Sequence, residues 1–388
     1  MKSNDFSLRP ENLHALSLAG LTSPTCQLLT LSDLSFMTIF PSHDFALVDH
    51  NRLGVSYVHT PGAQVTALID HHQDEGLYLS ASPRIVSPCG SCASHLGLLF
   101  TPSSPLPPEL ATLLLAAILI DTSGLKPGGK ATPTDVQAVA FLGPRSTYAS
   151  SFPKKVFDDV RDDPTEVPWE KAGREVHKAD ALKNLTRVLE MKKDDVAHLG
   201  GIDLLRRDYK ESIYTLYWAG DHTVKVGLST VPLPLDRLDK DGTFGDVIIS
   251  WMETRGIQVL GVLTSFNGGS AGKGKHKREM AWVVYGGVKR VTDRDPEGEA
   301  GVDFERLAQM VWKGLEESTE LQVKEHKRVS LEKGKLPIAA RGKVYLQGNA
   351  NASRKAIAPL IKDIVEGSEN YEKKPKRRSF LTRRSMDV

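Results

Sequence analysis

The sequence has few cysteines, no long apolar run and no large excess of charge of either sign. Its 388 residues include three cysteines, Cys26, Cys89 and Cys92, an odd number and too few for a disulfide framework. The longest apolar run, Leu113 to Ile120, is far shorter than the ~20 residues that cross a bilayer. No apolar stretch follows the first residues, so no secretory signal is recognised. We therefore expect reduced thiols, no membrane partner and a cytoplasmic location.

Charge is distributed over most of the chain. Fifty basic and 48 acidic residues give a net charge of +2, which by itself indicates no partner, and we expect a monomer with no specific nucleic-acid partner. The last segment, residues 367–388, is the exception, because it is rich in lysine and arginine between Glu372 and Arg384. It is interpreted as a solvated, disordered tail, with a nuclear signal or a polyanion-binding arm as alternatives.

The first ~140 residues alternate short apolar runs with helical stretches, a pattern that predicts a mostly parallel sheet with crossover helices. The predicted strands are Gln27–Leu31, Phe45–Val48, Val65–Ile69 and Arg84–Val86. An aspartate follows three apolar segments: Asp49 after Phe45–Val48, Asp70 after Val65–Ile69, and Asp121 after the segment 110–120. Because ligands gather at the carboxyl ends of parallel strands, we expect these acids to share one crevice.

The second half predicts another α/β unit, and the length of the chain suggests two domains. Leu182, Leu185, Val188 and Leu189 form a helical stripe, whereas residues 148–175 have little periodicity and indicate an exposed connector. The predicted strands are Ile213–Trp218, Thr223–Ser229, Val259–Ser265 and Met280–Tyr285, and the predicted helices are Asp246–Gly256 and Asp303–Leu315. The predicted segments are 1–145, a connector over 146–180, a smaller α/β domain over 181–366, and the tail.

Two strand ends carry residues that suit a metal ion. Asp70-His71-His72 follows the second predicted strand, and Asp49-His50-Asn51 follows the one before it. Carboxylate oxygen and imidazole nitrogen together favour Mn²⁺, Co²⁺ or Mg²⁺ over a metal that prefers thiolates. Such paired strand ends can hold two metal ions, activate a water and clamp a phosphoryl group.

Two other patterns are weaker. Cys89 and Cys92, with His95 nearby, have the spacing of a zinc site but no second cysteine pair. Gly269 to Lys275 matches the glycine and lysine spacing of a phosphate-binding loop, but His276 stands where a serine or threonine would bind Mg²⁺. We interpret the first as structural thiols and the second as a flexible hairpin tip.

Together, these motifs resemble the DHH superfamily of phosphoesterases and, within it, the fungal type of exopolyphosphatase. The motifs that carry the resemblance are Asp49-His50-Asn51, Asp70-His71-His72, Gly90-Ser91-Cys92-Ala93, Ile120-Asp121-Thr122, Asp208-Tyr209-Lys210 and Ser353-Arg354-Lys355. Through the last two of these motifs, the second half resembles the DHH-associated domain of family II inorganic pyrophosphatases, exopolyphosphatases and prune-type proteins. The resemblance implies a DHH domain followed by a DHH-associated domain, with the active site in the cleft between them.

The resemblance also implies roles for individual residues. Asp49, His71 and Asp121 would be metal ligands in a two-metal site, with His72 beside the substrate phosphate. Lys210, Arg354 and Lys355 would bind the anionic substrate, and His50 would be either a packing residue or a neighbour of the ligands. The implied reaction releases orthophosphate from the end of inorganic polyphosphate. Alternatives are a pyrophosphatase-like or prune-like phosphatase, and an impaired homologue that binds polyanions or regulates.

One departure from the family pattern bears on activity. Family members resemble one another in a first Asp-x-Asp motif that supplies ligands to both metals, and nothing before Asp49 matches it. We expect that the first strand and its motif are missing. The chain could be truncated, it could be a decayed paralogue, or Asp33 or Asp44 could supply the ligands.

Overall fold

The computed structural model describes residues 3–34, 36–37, 40–58, 60–100, 105–151, 169–268, 274–287, 302–331 and 336–367. Its contacts divide the chain into two units, residues 1–197 (unit 1) and 198–388 (unit 2). Each unit combines a sheet with helices, so the predicted α/β class is confirmed. The basic tail and the tip of the glycine-rich loop fall outside the described residues. No helix in the described ranges is both long and apolar enough to cross a membrane.

Unit 1 contains a parallel sheet of three strands in chain order. The strands are β1 (Asp44–Val48), β2 (Gln64–Asp70) and β3 (Arg84–Val86), and they confirm three of the four strands predicted in this half. Val48 pairs with Ile69, and Ile69 pairs with Ile85, so the carboxyl ends of all three strands lie at one edge. The sheet therefore brings the residues that follow β1 and β2 close together.

Eight helices of unit 1 pack around the sheet or against one another in the described ranges. They are α1 (Pro10–Leu18), α2 (Pro24–Gln27), α3 (Val55–Val58), α4 (Cys92–Leu98), α5 (Pro108–Thr122), α6 (Pro133–Leu142), α7 (Trp169–Lys178) and α8 (Asp180–Asp194). Helix α5 is apolar over most of its surface, and its Leu115, Ile118 and Leu119 are completely buried. They pack in one core with Leu182, Leu185 and Leu189 of α8. The predicted stripe on that helix is thus confirmed, with Val188 half-buried at its margin.

One predicted strand in unit 1 is wrong. Residues 27–31 form no strand: α2 ends at Gln27, and Leu29 is 80% exposed. The apolar segment 110–120, which precedes Asp121, lies in helix α5, since an apolar run also fits a buried helix. Part of the segment that the sequence predicts as a connector forms helix α7, and Val176 of this helix is buried in the core of unit 1. Residues 152–168 of that connector lie outside the described part of the chain.

Unit 2 is built on a mixed sheet. Its strands are β4 (Tyr209–Leu216), β5 (His222–Val231), β6 (Val259–Thr264), β7 (Phe266–Asn267), β8 (His276–Tyr285), β9 (Val323–Glu325) and β10 (Ala340–Gln347). Six lie in the order β4-β5-β6-β8-β10-β9, and β7 pairs with the start of β8. Among the strands of unit 2 that the structure describes, β5 and β6 are the neighbours that run parallel. All four strands predicted in this half are confirmed, with longer bounds for β4, β5 and β8.

The helices of unit 2 confirm both predicted helices and add others. They are α9 (Gly201–Arg207), α10 (Leu235–Leu238), α11 (Phe244–Arg255), α12 (Phe304–Glu317) and α13 (Arg354–Glu366). Met280 and Trp282 of β8 and Tyr345 of β10 pack in one core with Ile357 and Ile361 of α13. Helix α13 therefore covers one face of the sheet.

Candidate functional site

Asp49 follows β1 directly and turns the chain out of the sheet. Its backbone N–H donates to the carbonyl of Ile69 at 3.0 Å, which continues the pairing of β1 with β2 by one residue. Its φ of 64° lies in the left-handed region, which few residues other than glycine adopt. The carboxyl is 63% exposed. The backbone of Asp49 is therefore strained, and its neighbours hold it in this conformation.

His71 follows β2 and points its ring at Asp49. Its Nδ1 lies 3.1 Å from the carbonyl oxygen of Cys89, and because a carbonyl only accepts, Nδ1 carries the hydrogen. The other nitrogen, Nε2, lies 3.2 Å from Oδ1 of Asp49. In the neutral ring both of these facing atoms are electron-pair donors, so a cation between them would satisfy both.

Asp70 is the buried anchor of this edge. Its side chain is fully buried and accepts hydrogen bonds from Nδ2 of Asn51 at 2.7 Å, from the N–H of His71 at 2.7 Å and from Nδ1 of His72 at 2.7 Å. Burial opposes ionisation, but the hydrogen bonds from His72 and His71 outweigh it, so the pKa of Asp70 lies below its ordinary value. The bond to Nδ1 leaves Nε2 of His72 as the lone-pair nitrogen.

Asp49, His71 and His72 form one group of possible metal ligands. Each offers an atom, and these atoms all lie within 4.8 Å of one another. One carboxylate oxygen and two imidazole nitrogens suit a divalent transition metal. Both rings are oriented by a second hydrogen bond to an oxygen, as metal-binding histidines usually are. Asp49 and Nε2 of His71 therefore fit a metal ion. The nitrogen of His72 that lies 4.0 Å from Asp49 is Nδ1, which is hydrogen-bonded to Asp70, so the role of His72 beside the substrate phosphate stays a prediction.

Asp121 lies beside this group without joining it. It occupies the last turn of α5, and Oγ of Ser91 donates to its Oδ2 at 2.7 Å. Surrounding protein limits hydration of the carboxyl and raises the pKa of Asp121, an effect that Ser91 opposes and the charge of Asp49 reinforces. Within the described residues, the group of three does not include Asp121. Its role as a ligand stays a prediction.

Asp135 shapes the turn that holds Ser91, and the sequence analysis missed it. This fully buried carboxylate accepts from the N–H groups of Gly90 at 2.8 Å and Ser91 at 3.1 Å, and from Oγ of Ser94 at 2.6 Å. It also closes a capping box with Thr132 at the start of α6. The Thr132-Pro133-Thr134-Asp135 sequence is a helix-start signal that could have identified it.

The two cysteines near this turn are structural thiols. Sγ of Cys89 donates to the carbonyl of Ser91 at 2.9 Å, and Sγ of Cys92 to that of Ile69 at 3.3 Å. Burial raises the pKa of Cys89 to about 12 and that of Cys92 to about 11. Nε2 of His95 contacts the carbonyl of Ser87 at 2.8 Å. Among described residues these three side chains form no metal-binding group.

The other acidic and histidine candidates near β1 lie away from the group. Nδ1 of His50 donates to the carbonyl of Val48 at 2.8 Å, which directs its ring back along the strand. Asp44 begins β1, at the end opposite Asp49. Asp33 accepts from the hydroxyl and the N–H of Thr30 at 2.7 Å each, as a local turn residue does. The hypothesis that Asp33 or Asp44 completes the group is therefore not supported.

The predicted substrate residues lie in unit 2. Arg354 begins α13, and its Nη1 and Nη2 donate to the carbonyl and to Oδ1 of Asp208, each at 2.9 Å. Ser353 caps the helix by accepting from the N–H of Lys355. Lys210 lies on β4, two residues after Asp208, and both lysines are exposed. Unit 2 thus brings Arg354 to the start of the strand that carries Lys210.

The DHHA2 domain model matches residues 187–364 of this chain, a range that contains Lys210, Arg354 and Lys355. Asp49, His71 and Asp121, the ligands that the family resemblance implies, lie before the matched range.

Two similar proteins add to this match. A protein of Schizosaccharomyces pombe named "Putative exopolyphosphatase" is 36% identical over 149 residues, which is 35% of this chain and 38% of the relative's own length. A solved structure described as a "putative family II inorganic pyrophosphatase" of Methanococcus jannaschii has a TM-score of 0.50 and 17% identity, with 92% of this chain and 88% of that chain covered. At that identity the likeness shows the fold, a two-domain architecture of the pyrophosphatase type.

Proposed function

We propose that this chain catalyses metal-dependent hydrolysis of phosphoanhydride bonds and that its substrate is inorganic polyphosphate, cleaved at the terminal phosphate. The observation that carries the proposal is the group Asp49, His71 and His72, whose ligand atoms lie within 4.8 Å of one another. Phosphoanhydride hydrolysis needs a divalent ion that neutralises charge on the transferred group and provides an activated water. The name of the S. pombe relative supports the choice of polyphosphate.

In this proposal Asp49 and His71 hold Mn²⁺, Mg²⁺ or Co²⁺, with Asp121 as a further ligand. The carbonyl of Cys89 fixes the hydrogen of His71 on Nδ1, so Nε2 is available to the ion. Asp70 holds His72 through Nδ1, so its Nε2 can bind a second ion or contact a substrate oxygen. The strained backbone at Asp49 presents a carboxylate to solvent, where substrate arrives.

Phosphate binding is assigned to Lys210, Arg354 and Lys355. Polyphosphate carries about one negative charge per unit, and cations bind it best where water is partly excluded. Arg354 is 20% exposed in its side chain and is already oriented by Asp208, so its planar fork is fixed before substrate binds. The lysines supply point charges that adapt to chains of different length.

A decisive test measures phosphate release by the 388-residue chain from long-chain polyphosphate and from pyrophosphate, with Mn²⁺ or Mg²⁺ and with a chelator control. We expect chelator-sensitive release that is faster from polyphosphate. His71→Ala should lower it by about 1,000-fold or more, because a ligand of the ion is lost. His50→Ala is the matched control, since that histidine faces the carbonyl of Val48, and it should retain activity.

The other outcomes separate the alternatives. Faster release from pyrophosphate would favour a pyrophosphatase-like enzyme. Release from neither substrate, together with tight polyphosphate binding, would favour a binding or regulatory protein. Unchanged activity in His71→Ala would refute the assignment of the site.

A further inference from the structure

A second arginine of unit 2 lies on the same face and at the same end of the sheet as Lys210. Lys210 pairs with Leu228, and Leu228 shares a core with Met280 and α13. Arg278 precedes Met280 by two residues on β8, so it lies on that face too. It pairs with Gln347, the last residue of β10, from which the chain leads towards Arg354.

Arg278 is a half-buried cation without an acidic partner among the described residues. Its Nε donates to the carbonyl of Ala350 at 2.8 Å, which leaves the two Nη groups for another acceptor. Burial lowers the pKa of Arg278 below its usual value. The adjacent Glu279 lies on the opposite face, where it accepts from the N–H of Leu235 at 2.8 Å. Because a buried charge is costly without an opposite charge, a bound anion would stabilise this side chain.

One loop connects the environments of Arg278 and Arg354. It runs from Gln347 to Ser353, and its Ala350 accepts from Arg278. Nε2 of Gln347 donates to the carbonyls of Asn349 and Ala352, at 2.6 Å each, which fixes the loop from inside. Both guanidinium groups are thus tethered by backbone carbonyls, so little side-chain freedom is lost when an anion binds.

We propose that Arg278 is a second phosphate-binding residue and that it contacts phosphates farther along the polyphosphate chain than those bound by Arg354. This rests on the proposed function. Arg354 is tied to Asp208 before β4, and the strand order places three strand spacings between β4 and β8, which is about 14 Å. On this separation of the two strands, we expect pyrophosphate to contact one of the arginines and a longer polyphosphate to contact both. The pair therefore selects long chains over pyrophosphate.

The test is calorimetric binding of long-chain polyphosphate and of pyrophosphate to the full chain, in a chelator that stops turnover. Arg278→Gln should weaken binding of the long chain about tenfold, the loss of one charge-assisted contact, and change pyrophosphate binding by less than about threefold. Lys277→Gln is the matched control: it removes one positive charge from the neighbouring residue, on the opposite face. It should change neither affinity by more than about threefold. Arg278→Lys, which keeps the charge, should recover most of the long-chain affinity, and its recovery excludes misfolding as the cause.

Equal losses in Arg278→Gln and Lys277→Gln, an equal loss for pyrophosphate, or unchanged long-chain binding in Arg278→Gln would each overturn the assignment. These outcomes leave the proposed function intact, because it is tested by the wild-type chain. A wild-type chain that binds no polyphosphate would instead refute the choice of polyphosphate as substrate, and with it the role of Arg278.

Discussion

The two units carry opposite chemistry at the ends of their sheets. In unit 1, carboxylate and imidazole groups follow β1 and β2, and Oδ1 of Asp49 lies 3.2 Å from His71 and 4.0 Å from His72. In unit 2, arginine and lysine gather at one end of the sheet around Arg354. A lysine or arginine beside Asp49 would form an ion pair and compete with a metal ion, whereas the substrate phosphates need such cations. Placing the proposed substrate cations on a different unit from Asp49 avoids that competition at Asp49.

The largest effects on this division of metal and phosphate binding are expected when one charged group is removed from each unit. Asp49→Asn should weaken Mn²⁺ binding by about 100-fold or more, because the carboxylate charge is lost, and leave polyphosphate binding in chelator within about threefold. Arg354→Ala should do the reverse, with metal binding unchanged and polyphosphate binding about tenfold weaker. Calorimetric titration of both ligands into both variants measures all four values. If either variant weakened both ligands alike, the division between units would be wrong.

A smaller effect is expected from the anchor behind the metal group. Asp70→Asn removes the charge that holds Nδ1 of His72 and the amide of Asn51, so Mn²⁺ affinity should fall by about 10- to 100-fold. Asp74→Asn is the matched control. Asp74 lies four residues after Asp70 and pairs with Arg84 near the protein surface. Metal titrations of the two variants should differ clearly. Equal affinities would show that Asp70 serves folding alone.

The strands and the residues that follow them could be predicted, because they depend on neighbouring residues in the sequence. Short apolar runs located β1 and β2, and a strand end followed by Asp49 or by His71 is visible in the sequence. Four strands of unit 2 were predicted in the same way, whereas β7, β9 and β10 were not. Asp121 shows the limit of such a rule, since it was grouped with strand ends and instead lies in the last turn of a helix.

Long-range contacts could not be predicted. Asp135 accepts a hydrogen bond from the N–H of Gly90, 45 residues away, and Arg278 donates one to the carbonyl of Ala350, 72 residues away. Nothing around either residue indicates its partner, because that depends on how strands and helices are ordered in space. The sequence therefore identified candidate ligands but missed the groups that hold them in position.

The close packing behind Ser91 gives a further prediction for unit 1. A Cβ at Gly90 would lie 2.7 Å from Cγ2 of Thr122 and 2.8 Å from Oδ2 of Asp135. Gly90→Ala should therefore lower the free energy of unfolding by about 2 kcal/mol, because neither neighbour can move without losing its hydrogen bonds. Gly54→Ala, which meets only Tyr57 at 3.5 Å, should change it by less than about 1 kcal/mol. Denaturant titration compares them, and equal stabilities would mean that the turn is not tightly packed.

The smallest expected effect concerns an ion pair of unit 2 that serves stability rather than binding. Glu211 accepts from the hydroxyl of Tyr209 at 2.8 Å and from Nη2 of Arg255 at 2.8 Å. Burial opposes ionisation, but these hydrogen bonds outweigh it, so the pKa of Glu211 lies below its ordinary value. A lowered carboxyl pKa adds stability above the unfolded pKa, and this stability is lost as the pH falls through the folded one.

Glu211→Gln should therefore lower the free energy of unfolding by about 1 kcal/mol at neutral pH. The difference from wild type should shrink as the pH falls through the lowered pKa of this carboxyl, because the wild-type side chain then becomes neutral too. Glu305→Gln, at the more exposed pair with Arg341, should change stability by less than about 0.5 kcal/mol at either pH. Unfolding titrations at neutral and acidic pH provide the comparison. A difference for Glu211→Gln that stayed constant with pH would mean that Glu211 stabilises the fold through packing and not through its charge, so its ion pair with Arg255 would add no stability.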